Sequence, residues 1–158
     1  MYKKILVPLD GSKLAECALP HALSIAKAFK AEIVLVSVTE RVPGGVLMDD
    51  PSKPSGETVI PEATGKLQKQ AQKYLDRVAK NLEPEGIKIS TDVQLWQPAQ
   101  GIMDSAWLYK CDMIVMASHG RSGISKWTHG STAEKVFRAT NIPVLMIRAQ
   151  DTETAKKS

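Results

Sequence analysis

Cysteine is scarce in this chain: Cys17 and Cys111 are the only two, far apart and in no CxxC. A disulfide framework is therefore not expected, and a reducing compartment is the default. Histidine is scarce too. His21, His119 and His129 are scattered, with no HExxH or Cys/His cluster, so they suggest no metal site. Aromatic residues make up 5%, which leaves Val, Ile, Leu, Ala and Met to build the core. Five basic residues never occur in a row, and no basic stripe is interleaved with aromatics. Nucleic acid is therefore not an expected partner, although the net charge is +4 and the pI about 9.1. The apolar run in MYKKILVPLD is too short for a signal peptide, and no other run approaches a membrane span. A cytoplasmic protein with no membrane partner is the expectation.

What is present is alternation. The length of 158 residues suits one domain. KILVPL (4–9) is a strand candidate that ends at Asp10-Gly11-Ser12, with Ser12 a plausible N-cap. Leu14, Ala18, Ala22, Ile25 and Phe29 follow at helical spacing, with Pro20 inside the pattern as an expected kink. EIVLVSV (32–38) is a continuous apolar run, as in a strand covered on both faces. The next segment, 39–61, holds four prolines and three glycines and is long for a loop, which suggests a lid. A helix is expected over 62–82, with Leu67, Ala71, Tyr74, Val78 and Leu82 on one face. IKISTDVQLW (87–96) alternates like a half-exposed strand, and Pro98 stands where a helix begins. DMIVMA (112–117), a helix over about 131–140 and PVLMIR (143–148) complete the order. Such alternation predicts a single doubly wound α/β domain, a parallel sheet with helices on both faces, over residues 1–148. The polar tail 149–158 is expected to be disordered.

In such a sheet, ligands bind beyond the carboxyl ends of the strands, where strand order reverses. The stretch ASHGRSGISKWTHGSTAEK (117–135) lies there. Gly120 sits just past a strand, and Gly130-Ser131-Thr132 opens a helix, with Arg121 and Lys126 between. Glycines admit close approach to backbone N–H groups, and a helix N-terminus is an anion site. No P-loop and no GxGxxG is present. Ser131 with Glu134 three residues on also fits a capping box, which explains a serine there without any ligand. Local physics leaves phosphate binding and a plain loop both open.

ILVPLDGS, ALPHALSIAKAFKAEIVLVSV and DMIVMASHGRSGISKWTHGSTAEKVFRATNIPVLMIR together resemble the universal stress protein family over about residues 3–148. The resemblance implies a five-stranded sheet of order 3-2-1-4-5. One branch of the family binds ATP through G-x2-G-x9-G-[ST]. On that motif Ala117 takes the first glycine, Gly120 the second, Gly130 the third and Ser131 the last position, with nine residues between Gly120 and Gly130. The resemblance sets Gly120, Gly130, Ser131 and Thr132 on the phosphates and Asp10 on the ribose or adenine side. It sets Pro8 in the base pocket and the Val38 backbone on the adenine edge. Ala117 and His119 belong to the same cofactor-binding group, His119 as a residue that orients the loop. Mg²⁺ or Mn²⁺ bridging phosphates goes with ATP, without a ligand set that the sequence names.

Three departures stand out, one of them the segment Lys126 to His129, more polar and bulkier than the leucine-rich segment often seen there, whose Trp127 could pack over the nucleotide or in a dimer contact. Ala117 adds a methyl, which matters only if the backbone there has positive φ or touches the ligand. Trp96 stands where the family often has glycine and is expected to narrow the crevice.

No residue stands out as a base for water attack, so at most a slow ATPase is expected. The expected function is an ATP-binding, nucleotide-dependent switch in stress adaptation. A nucleotide-free scaffold of the same family and a slow ATP hydrolase are the alternatives. The resemblance also implies a homodimer through the last strand, Pro143 to Arg148, as an apolar edge that would be paired. Asp49-Asp50 and the Cys17 thiol carry weaker suggestions, of a divalent ion and of a reactive group.

Overall fold

The computed structural model describes residues 1–40, 62–118 and 130–148. The first apolar run forms β1 (Lys4–Pro8), whose Ile5, Leu6 and Val7 are wholly buried. In β2 (Glu32–Thr39) five consecutive residues, Ile33 to Ser37, are buried, and in β4 (Met113–Ala117) all five are. Continuous burial along a strand means cover on both faces, as the unbroken apolar runs predict. The alternating segment makes β3 (Ile89–Leu95), half-buried throughout, and the last run makes β5 (Val144–Ile147), also half-buried. Every pairing is parallel, and the order is β3-β2-β1-β4-β5. This is the order that the resemblance implied. It puts β3 and β5 at the two edges and makes the gap between β1 and β4 the switch point.

The helices divide between two apolar layers. Odd-numbered positions of β1, Ile5 and Val7, join Leu19, Ala22 and Leu75 under α2 (Leu19–Phe29) and α3 (Glu62–Leu82). Leu6, Val34, Val36 and Met116 point to the other side, under α4 (Pro98–Leu108) and α5 (Ser131–Ala139). The alternation of strand side chains thus feeds two cores from one sheet.

Pro20 acts as expected but more sharply. The first helical pattern splits into α1 (Lys13–Glu16) and α2, with Pro20 in the first turn of α2. A first-turn N–H has no intrahelical partner, so proline loses nothing there. Ser12 caps α1, its Oγ accepting from Ala15 N at 3.1 Å. Pro98 likewise opens α4. No helix among the described residues is long and apolar enough to cross a membrane.

Candidate functional site

The carboxyl ends of β1, β2 and β4 floor a cleft of about 740 Å³. Pro8, Asp10, Val38, Ala117, Gly130, Ser131 and Thr132, expected from sequence to meet one ligand, all line it. His119 and Gly120 lie outside the described residues, as do Arg121, Lys126, Trp127, the Asp49-Asp50 pair and the segment 41–61.

One end of the cleft is the start of α5. Ser118 N donates to Ile147 O at 2.8 Å, and Gly130 N donates to Ser118 O at 2.7 Å. The second bond pins the helix start beside the end of β4. The first intrahelical bond runs from Glu134 N to Gly130 O at 3.1 Å. The N–H groups of Ser131, Thr132 and Ala133 therefore have no intrahelical acceptor, and all three residues line the cleft. They form the positive end of the helix dipole. Two expectations change here. Gly130 N–H is spent on Ser118 and is not a donor for a ligand. The Ser131–Glu134 capping box is not formed: Gly130 is the N-cap, Ser131 is already the first helical residue, and no side chain caps the helix. Glu134 pairs instead with Arg138, Oε1 to Nε 3.0 Å.

The other end is apolar. Pro8, Val36 and Val38 line it from the strands, and Leu67, Ala71 and Tyr74 line it from α3. Since β2 and β4 flank β1 on opposite sides, the two ends lie roughly 10 Å apart, two strand spacings. Sequence reasoning put Leu67, Ala71 and Tyr74 on one helical face and gave that face no part in a site. Leu67 is 40% exposed, and it faces the cleft. Gln70, beside them on the same wall, had no sequence signal.

Asp10 stands between the ends, just past β1. Its Oδ1 accepts from Ser12 N at 2.9 Å and Ser12 Oγ at 2.5 Å. Gly11 makes this turn at φ 85°, a left-handed conformation that favours glycine. Ser12 thus fixes the carboxylate and caps α1 at once. Across the cleft Tyr74 OH donates to Glu16 Oε1 at 3.0 Å. Burial, then the Glu16 bond, pushes the phenol well above its ordinary range, so it remains a donor to Glu16.

Ala117 lines the cleft, but its backbone is regular. It is not among the positive-φ residues and sits in regular pairing opposite Ile147. Its methyl causes no backbone strain. Trp96, about half exposed, is not among the residues lining the cleft. Burial pushes the thiol pKa of Cys17 up, and that of Cys111 up to about 11, the opposite of what a reactive thiolate needs. Among the described residues no three His, Cys, Asp or Glu side chains gather to hold a metal.

Comparison with known proteins gives this arrangement its relatives. The sequence pattern of the Universal stress protein family matches residues 1–148. Universal stress protein MJ0531 of Methanocaldococcus jannaschii is 34% identical over 148 residues, covering 94% of this chain and 83% of its own. Universal stress protein MJ0577 of the same organism is 31% identical over 159 residues, covering 96% of this chain and 98% of its own. The solved structure of MJ0577 superposes with a TM-score of 0.79 at 30% identity, over 96% of this chain and 99% of that one. A universal stress protein solved in complex with cAMP shares the fold, with a TM-score of 0.59 at 19% identity over 94% of this chain and 98% of that one. With residues 1–148 matched, the chain belongs to the universal stress protein family.

Proposed function

We propose that the cleft binds ATP and that the protein acts as a nucleotide-dependent switch in stress adaptation, a binding protein more than a catalyst. The observation that carries this reading is the start of α5, where three consecutive residues whose backbone N–H groups have no intrahelical acceptor line the cleft. A phosphate fits such a helix end. The apolar slot of Pro8, Val38, Leu67 and Ala71, about 10 Å away, suits a purine ring. Asp10, oriented by Ser12, lies between them at the place of a ribose. Ser131 and Thr132 add hydroxyl donors beside the helix end, and His119 and Gly120 belong to the same reading through the family motif. A Mg²⁺ or Mn²⁺ ion would arrive with the phosphates, since the described residues offer no metal centre of their own. Asp10 and Glu40 are the carboxylates in the described lining. Asp10 is tied to Ser12, which favours holding a ligand over activating water. Switching then means that bound ATP favours one form of the surface shown to a partner.

Titration calorimetry tests the binding. With Mg²⁺ present, affinity is expected to fall in the order ATP, ADP, AMP, because only the longer phosphate chain reaches the start of α5. Absence of heat with ATP would refute the reading. Equal affinity for AMP would remove the helix start from it, and tighter binding of cAMP would redirect it to a cyclic nucleotide. A cytoplasmic location goes with ATP as ligand and with two free cysteines.

A homodimer through β5 is part of the proposal. Val144-Leu145-Met146-Ile147 forms an uncharged edge strand with β4 as its neighbour in the sheet. Exposed apolar edges favour pairing with another strand. Sedimentation at micromolar concentration is expected to give a dimer that Met146→Lys weakens. A parent protein that sediments as a monomer would contradict it.

A further inference from the structure

We infer that Gly101 is a positioning residue for the apolar end of the cleft: its missing side chain is what lets Val38 stand where it does in the wall. This deepens the ATP reading and rests on it. Glycine inside a helix costs roughly 1 kcal/mol relative to alanine, so its place within α4 asks for a reason. The reason is a close approach. A Cβ at Gly101 would lie 2.8 Å from Val38 Cγ1, 2.9 Å from Val38 Cγ2 and 3.4 Å from Gln94 Cβ. Carbon atoms prefer roughly 3.5–4.0 Å. Val38 and Gln94 are partners across β2 and β3, so α4 crosses directly over that rung.

Little in this crossing can yield. The γ carbons of a valine are stiff at χ1, unlike the end of a long side chain. One turn further along α4, fully buried Ser105 donates Oγ to Asp92 Oδ2 at 3.2 Å, holding the helix to β3. Ile102 and Ala106 anchor the same stretch in the core under α4. β2 is itself held between β1 and β3. A methyl at Gly101 must therefore displace the Val38 side chain or the first turn of α4. Val38 and Pro98 both line the cleft, so either response reshapes its apolar end. None of the three atoms nearest to the added methyl belongs to α5, whose start lies at the opposite end.

The test is Gly101→Ala, with calorimetry on the folded protein. ATP affinity is expected to fall about tenfold, some 1.4 kcal/mol, with the ATP-to-ADP ratio unchanged, since the phosphate end is untouched. The ATP-to-GTP ratio should shift. A merely structural role would move the melting temperature and leave the ATP-to-GTP ratio alone. Val38→Ala removes both clashing carbons, so Val38→Ala/Gly101→Ala should bind ATP as Val38→Ala does. If Gly101→Ala fails to fold, that pair of variants carries the test, and a tenfold difference between them overturns the inference. A parent that binds ATP while Gly101→Ala binds it equally also overturns it, with the ATP reading intact. A parent that binds no ATP removes both.

Discussion

Ser131→Pro is expected to fold normally and to lose ATP affinity by tenfold or more. Ser131 is the first residue of α5, its side chain is exposed, and its N–H has no intrahelical acceptor. Proline is favoured at that position. The residue before a proline must be extended, and Gly130 already is, at φ −52° and ψ 136°. The folded state therefore has no reason to object, and a stiffer unfolded chain adds roughly 0.4–1 kcal/mol of stability. The ligand has a strong reason. The substitution removes a backbone donor and a hydroxyl from the proposed phosphate site, and hydrogen bonds to charged groups are worth about 1.5–3 kcal/mol each. One such bond is roughly a tenfold change in affinity or more. Ser131→Ala removes the hydroxyl alone and should lose less. Calorimetric affinity and a thermal melt separate the outcomes. An unchanged affinity would take the helix start out of the site. A collapsed melt would mean that the bond from Gly130 N to Ser118 O cannot survive a proline beside it.

The sheet was legible in the sequence because its physics is local. Unbroken apolar runs at 32–38 and 112–117 mark strands covered on both faces, and the alternation at 87–96 marks an edge. The α3 bounds, Glu62 to Leu82, match the expected range, and Pro20 marked a real break. The candidate site was legible in part. Its glycine and serine positions came from the family motif and Asp10 from the wider family resemblance, and the fold brings those that are described to one cleft. What was not legible depends on contacts between distant segments. Ser131-x-x-Glu134 is a correct local pattern for a capping box. A bond to Ser118 sets Gly130 as the cap instead and draws Ser131 into the helix. Helical periodicity put Leu67 and Tyr74 on one face, but periodicity cannot tell a core from the wall of a cleft. Gly101 was visible as a glycine inside a helical segment, yet its cause, Val38, lies more than sixty residues away on another strand.

Few side chains of the helix that walls the cleft are fully buried, which makes Leu75→Ala a large stability change. In α3, 21 residues long, only Thr64, Leu75 and Val78 are buried, and Leu75 is the one at 0% exposure. It packs into the same core as Ile5, Ile33 and Leu35. Truncating a buried leucine costs about 2–5 kcal/mol, the range reflecting how far neighbours relax into the void. Against a total of roughly 5–15 kcal/mol for a domain, that is a large share. For a chain of this size it corresponds to a melting point lower by roughly 5–20 °C. Leu67→Ala, on a residue 40% exposed over the cleft, should cost far less stability and should instead lower ATP affinity. The two variants thus part the roles of one helix face: Leu75 attaches α3 to the sheet, and Leu67 meets what the cleft holds. Urea unfolding with and without ATP measures both effects. Ligand binding to the folded state should recover part of the loss in Leu75→Ala, by an amount that grows with ATP concentration. A loss below about 1 kcal/mol in Leu75→Ala, well under the range for a buried leucine, would mean that α3 is attached to the sheet by something other than this core contact.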